Sequence, residues 1–330
     1  MGFDAVNGGS ASLPEWVTLE FWVAYHVVIA IFIFIDLYAA THREELTFRE
    51  ATIWSIIWIV VGIAWGGVIY FLMGPLSAGL YYAAFLVEKM LSMDNLFVFA
   101  IIFSYFAVPQ NIQPVVLYVG IITAVVFRAL FIYGGILLIE QYEFTVVIFG
   151  LILFYSGYKL LKSHEVKVEP ERNPVIKIAK KYLPITEKYQ GYKFIVREGG
   201  RLKFTPLILV LIAIETTDVI FAVDSVPAVL AITTDFLIAY TSNISAVLGL
   251  RALYSLVSLT VIHFKYVGKG LSIILTYLGA KMILTGLNIY KIETWLSIAI
   301  VMSILIGSIV LSVVDKDAGR GGETGEEDRG

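Results

Sequence analysis

Nine windows of mostly apolar residues follow one another along the chain, near 19–40, 51–73, 76–104, 114–139, 144–162, 205–231, 237–263, 270–288 and 294–314. Each holds about twenty residues or more, the length of helix that crosses roughly 30 Å of hydrocarbon. The pattern predicts an all-α, polytopic membrane protein with about nine transmembrane helices. One sizeable polar insertion interrupts it, residues 163–204. There NPVIKIAKKYLP reads as a short basic amphipathic helix, and YKFIVREGGRLKF as two strands about a Gly-Gly turn. The tail DKDAGRGGETGEEDRG is Gly-rich and acidic, and is expected to be disordered.

Composition agrees with the pattern. The chain of 330 residues is 58% hydrophobic, 14% aromatic and 15% charged, and its mean hydropathy is +0.83. Soluble domains average about 45–50% apolar and about 25% charged residues. A net charge of −3 gives no hint of a nucleic-acid partner. Cysteine is absent, which removes disulfides, thiolate metal ligands and thiol redox chemistry. The start, MGFDAVNGGSASLPEW, has no basic region leading into an apolar core, so no cleavable signal peptide is expected.

The basic residues orient the spans, because Lys and Arg collect on the cytoplasmic side. With the N-terminus outside and the C-terminus inside, 19 of the 24 Lys and Arg fall in cytoplasmic segments, twelve of them between Lys159 and Lys203. Only Lys291 falls outside, while Lys89, Arg128, Arg251 and Lys281 lie within spans. The expected location is the cytoplasmic (inner) membrane.

An internal echo divides the chain further. Glu88 and Asp94-Asn95 in FLVEKMLSMDNLFVF recur as Asp218 and Asp224-Ser225 in ETTDVIFAVDSVP. Phe127–Phe131 (FRALF) is answered by Leu250–Tyr254 (LRALY), and Ser156–Lys159 by Leu278–Lys281. Three matches in the same order point to two three-helix repeats. An odd number of helices per repeat places the copies in opposite orientations, the arrangement of many transporters. The resulting division is 1–75 for two N-terminal helices, 76–162 for the first repeat, 163–204 for the cytoplasmic insertion, 205–288 for the second repeat, 289–314 for a ninth helix and 315–330 for the tail.

Charges inside the spans carry the chemistry. Each costs about 2.5–3.5 kcal/mol at a helix centre on insertion scales. Asp36, Glu88, Asp94, Glu215, Asp218 and Asp224 outnumber Lys89, Arg128, Arg251 and Lys281 by two. Surplus buried negative charge calls for protons, a cation, or both. On a straight helix Glu88, Ser92 and Asn95 share a face, with Asp94 roughly 120° away. A break near Asp94, and another at Pro227 beside Asp224, would reorient these carboxylates and free backbone carbonyls. The expected site is made of oxygens, suited to Mn²⁺, Ca²⁺ or Mg²⁺: Glu88, Asp94, Asn95, Glu215, Asp218, Asp224 and Ser225. Arg128, Arg251 and Lys281 are expected to pair with acids or to gate. His42 and His164 lie at membrane edges, and His26 and His263 stand alone, so packing roles are expected of them.

At these motifs the chain resembles the TerC family, and within it the longer Alx-like members. The resemblance rests on VEKMLSMDNLFVF, on TPLILVLIAIETTDVIFAVDSVPAVLAIT, and on NPVIKIAKKYLPIT followed by GYKFIV, and runs from about Tyr82 to Lys281. It implies a multispanning protein of the wider LysE-type transporter class, a manganese exporter, in which Glu88, Asp94, Asp218 and Asp224, with Glu215 nearby, carry the metal. The expected partners are the metal, as cargo rather than cofactor, and membrane lipid. A Ca²⁺ exporter is the nearest variant, and a membrane scaffold or insertion factor linked to tellurite resistance is the reading from another class. An intramembrane aspartyl protease needs Tyr-Asp and Gly-x-Gly-Asp pairs, absent around Asp94 and Asp224, so no enzyme is expected.

Overall fold

The computed structural model describes residues 17–41, 47–162, 173–259 and 265–323, with the side chains of 39–41, Asp94, 257–259, 265, 267 and 313–323 outside the description. Ten helices and one small hairpin make up the described chain: α1 (Leu19–Thr41), α2 (Phe48–Tyr105), α3 (Gln113–Gln141), α4 (Phe144–Lys162), α5 (Pro174–Tyr182), β1 (Ile195–Glu198), β2 (Arg201–Phe204), α6 (Leu207–Ile232), α7 (Phe236–Val247), α8 (Leu250–Leu259), α9 (Lys265–Gly286) and α10 (Thr294–Glu323). The protein is an all-α membrane protein in which six stretches are long and apolar enough to cross a bilayer: α1, α2, α3, α4, the α7–α8 stretch and α10. Their outward faces carry large bare apolar side chains such as Leu19 and Phe71, as lipid contact requires.

Helix ends follow local chemistry. α2 starts in a capping box: the Thr47 hydroxyl accepts from Glu50 N, and the Glu50 carboxylate accepts from Thr47 N. At Gly74 the backbone turns to φ +86°, ψ 178°, just before Pro75. Proline has no N–H to give the preceding turn, and glycine accepts the left-handed angle. The two rods of α2, 48–73 and 75–105, therefore fold back on one another. The Tyr81 and Tyr82 hydroxyls seal them, donating to Gly62 O and Ile63 O at 2.9 Å each.

The interruption lies elsewhere than the sequence suggested. The helix runs unbroken past Asp94, and α6 continues through Pro227. A proline inside a helix forfeits one bond and bends the rod, and α6 is packed on every side at that level, from Ser225 to Ile232, which holds the turn in place. The real break falls between α7 and α8, at Leu248 and Gly249 (φ +81°). A Cβ on Gly249 would lie 2.5 Å from Trp58 Cβ, so α8 packs against the first rod of α2 with no room to spare.

The insertion contains the expected helix and hairpin. Asn173 caps α5, its Oδ1 accepting from Val175 N and Ile176 N, while its Nδ2 donates to Thr216 Oγ1 at 2.7 Å and ties α5 to α6. β1 and β2 pair antiparallel from Ile195↔Phe204 to Glu198↔Arg201. Gly199 and Gly200, at φ +60° and +77°, make the two-residue turn. The Tyr189 hydroxyl donates to Phe106 O at 2.6 Å and docks the insertion on the end of α2. Burial raises its pKa above the usual tyrosine value.

α4 and α9 make the most extensive helix pair. A Cβ on Gly157 would meet Thr276 N at 2.7 Å and Ser272 O at 2.8 Å; one on Gly279 would meet Phe154 N at 2.5 Å and Gly150 O at 2.7 Å. Backbones approach this closely only over small residues.

Gly249→Ala should lower stability by about 1–3 kcal/mol, through left-handed strain and collision with Trp58. Gly307→Ala, which enters open space, should leave it unchanged. Thermal unfolding in detergent compares the two.

Candidate functional site

Four helices converge on one guanidinium. Arg128 of α3 is fully buried. Its Nη1 donates to Glu88 Oε1, on the second rod of α2, and to Asn243 Oδ1 of α7 at 2.8 Å. Its Nη2 donates to Asp218 Oδ1 of α6 at 3.3 Å. Glu88 and Asn243 are fully buried and Asp218 nearly so. Two carboxylates thus share one arginine, and the cluster's hydrogen bonding is incomplete. Glu88 Oε2, Arg128 Nε and Asn243 Nδ2 are buried without a partner.

A second cluster stands apart from the first. Asp36 of α1 is held by Arg251 of α8 through both Nε and Nη2, by Trp58 Nε1 at 3.1 Å and by the Tyr118 hydroxyl. Asp36 therefore pairs with a base, while Arg251 meets none of the described acids of the two motifs. All of Asp36's neighbours are donors, so its charge is fully compensated.

Two lysines take carbonyl partners. Lys89 Nζ donates to Ala246 O (3.0 Å) and Leu248 O (3.3 Å), carbonyls released where α7 breaks. Lys281 Nζ donates to Ala231 O (3.1 Å) at the end of α6. An ammonium beside a helix C-terminus is favoured by the helix dipole and satisfies orphaned carbonyls. Lys281 accordingly bonds to backbone rather than to an acid.

Between the second rod of α2 and helices α3, α4, α5, α6 and α9 lies a cavity of 1120 Å³. Its wall is largely apolar, and its polar groups include Asn95, Ser156, Lys159, Glu215, Asp224 and Ser225. Asp224 Oδ1 accepts from Ser156 Oγ at 2.6 Å. Both Glu215 oxygens and Ser225 Oγ are buried without hydrogen bonds. Unsatisfied acceptors inside an oily cavity are costly unless something else visits them.

The residues read from the sequence thus occupy two neighbouring places. Glu88 and Asp218 close on Arg128; Asn95, Glu215, Asp224 and Ser225 line the cavity. The Asp94 side chain lies outside the described residues, as do His42, His164 and His263. Among the described residues no three of His, Asp and Glu stand together as a ready-made metal cage. His26 bonds to Trp22 O and the Tyr240 hydroxyl, each at 2.7 Å, in an aromatic cluster, the packing role expected. Asn243, Tyr118 and Trp58 escaped sequence reading. The polar run Tyr240–Ser245 within an apolar span was the available signal for the first.

Charged clusters tied between apolar, outward-greasy helices define an integral membrane protein with a polar interior. The model of the TerC family of integral membrane proteins matches residues 73–319, and the chain belongs to that family. It is 36% identical over 298 residues to an uncharacterized membrane protein of Rickettsia felis, spanning 90% of this chain and 98% of that one. A protein of Escherichia coli (strain K12), provisionally named a membrane-bound redox modulator, Alx, is 35% identical over 301 residues, spanning 88% and 93%. An uncharacterized membrane protein of Myxococcus xanthus is 33% identical over 295 residues, spanning 89% and 92%. No solved structure matches the chain.

Asp36→Asn should cost about 3–5 kcal/mol, because Arg251 would remain buried without its counter-ion. Trp58→Phe, which removes one donor, should cost about 0.5–1.5 kcal/mol. Chemical unfolding in micelles measures both.

Proposed function

We propose that the chain exports divalent metal cations, Mn²⁺ foremost, across the cytoplasmic membrane by alternating access. The observation that carries this reading is the meeting of Glu88 and Asp218, matching positions of the two acidic motifs, on one buried Arg128. Two helices bring their acids to one point inside the membrane, beside a cavity holding two further carboxylates. Oxygen donors of this kind suit hard divalent ions, and Ca²⁺ is the nearest alternative cargo.

In this reading nine helical spans cross the membrane, with the N-terminus outside and the polar insertion in the cytoplasm. The second rod of α2 with α3 and α4 forms one three-helix unit; α6, the broken α7–α8 and α9 form its inverted counterpart. The α4–α9 contact supports the pairing. The shift along the chain that carries Gly157 to Gly279 also carries Phe154 to Thr276 and Gly150 to Ser272. Gly157 touches Thr276 and Ser272, and Gly279 touches Phe154 and Gly150, so each contact has its image. Alternating access follows when one unit rocks against the other about a site between them. The cavity, walled in part by α5, is the cytoplasmic entry, with Asp224 and Glu215 collecting the ion.

Redox chemistry, part of the name given to the E. coli relative, has no thiol to work with here, since the sequence contains no cysteine. A scaffold role would instead use the insertion, where Tyr182 and Leu202 are about 70% exposed. In that case residues 173–204 would matter more than the buried acids.

Purified protein in liposomes should carry Mn²⁺ along its gradient, with flux altered by a pH gradient if protons are exchanged. Glu88→Gln and Asp224→Asn should each lower the flux at least tenfold while the protein remains folded. Undiminished flux in both variants would remove the site.

A further inference from the structure

We propose that Arg128 is a tethered counter-cation that occupies the place of the transported ion and must leave Glu88 and Asp218 before a divalent metal can bridge them. This rests on the transport reading and adds what the binding site does between cargoes. Three oxygens from three different helices, Glu88 Oε1, Asp218 Oδ1 and Asn243 Oδ1, point at one guanidinium. Two carboxylates and an amide oxygen are the donors a hard divalent ion takes. Arginine and metal cannot share those atoms, because both are positive and the oxygens they need are the same.

A purely structural tie would be built differently. A permanent buried ion pair is stable only when its remaining polar atoms are also satisfied. Here Glu88 Oε2, Arg128 Nε and Asn243 Nδ2 all lack partners. In the Asp36–Arg251 cluster one atom, Arg251 Nη1, lacks a partner, but both oxygens of the aspartate are bonded, to a tryptophan N–H, a tyrosine hydroxyl and two guanidinium nitrogens. The Arg128 cluster is the loosely bonded one, and it is the one that carries the acids of both motifs.

The counter-cation has a physical task. After releasing its ion, a carrier must return through the membrane interior with two carboxylates exposed to a low-dielectric surround. That step is prohibitive for bare charges. An arginine that swings back onto them lets the empty carrier reset.

The test compares the full-length protein with Arg128→Gln, Arg128→Lys and Arg251→Gln, using Mn²⁺ alone as the probe. Arg128→Gln should bind Mn²⁺ at least tenfold more tightly than the unsubstituted protein, and Mn²⁺ should raise its melting temperature further. In liposomes it should keep Mn²⁺/Mn²⁺ exchange but lose net Mn²⁺ efflux into metal-free buffer. Arg128→Lys, a single point charge that spans the two acids poorly, should be intermediate in affinity and stands in should the glutamine variant not fold. Arg251→Gln should leave Mn²⁺ affinity unchanged. A folded Arg128 variant with unaltered or weaker affinity, or with net efflux at the unsubstituted rate, overturns the counter-cation and leaves export standing. If the unsubstituted protein binds neither Mn²⁺ nor Ca²⁺, export itself falls.

Discussion

Everything in this fold answers to one constraint: a carboxylate inside a membrane must meet positive charge or hydrogen-bond donors. Bare, it costs several kcal/mol, comparable to the whole net stability of a typical domain. The chain meets the demand three ways. Arg251 neutralises Asp36 with help from an indole and a phenol. Arg128 serves Glu88 and Asp218 together. Asp224 and Glu215 face a cavity instead, the first with a serine donor and the second with none. Compensation therefore falls from complete, through shared, to minimal as one moves from Asp36 to the cavity.

That gradient also explains how the helices are arranged. Arg128 can reach its acids only because α3 lies against α6 and α7 while the second rod of α2 runs alongside. The fold-back at Gly74 delivers that rod, and the break at Gly249 delivers α8 with Arg251 toward Asp36. The carbonyls exposed by the second break are taken up by Lys89, the residue next to Glu88. One interruption thus positions a base, and the following residue of an acidic motif seals the wound. Both breaks fall at a glycine with positive φ, Gly74 followed by Pro75 and Gly249, and neither falls at Asp94 or Pro227.

Much of this was legible in residue order. Long apolar windows locate α1, α3, α4 and α6 to within a few residues, while the window 237–263 divides into α7 and α8 and α10 runs past 314 to Glu323. Gly-Gly between short β-rich runs locates the hairpin for an equally local reason. The acids of both motifs stand out because charge in a greasy segment is expensive. Partner choice was not legible. Arg128 and Arg251 sit in near-identical sequence contexts, FRALF and LRALY, yet one binds two motif acids and the other binds Asp36 outside the motifs. That difference comes from which helices happen to face each arginine in three dimensions. Asn243 was hidden similarly, since a lone amide in an apolar span reads as tolerable until its oxygen is found on a guanidinium.

α6 forms a wall common to both polar places. Asp218 on that helix turns to the closed cluster, while Glu215 and Asp224 on either side of it line the cavity. Glu215 therefore stands one helix turn from a residue held by Arg128, and Asp224 lies under two turns from it on the other side. Movement of α6 along or about its axis changes both places at once, because packed rods shift as units rather than residue by residue. The cavity and the arginine cluster are accordingly coupled through the helix they share.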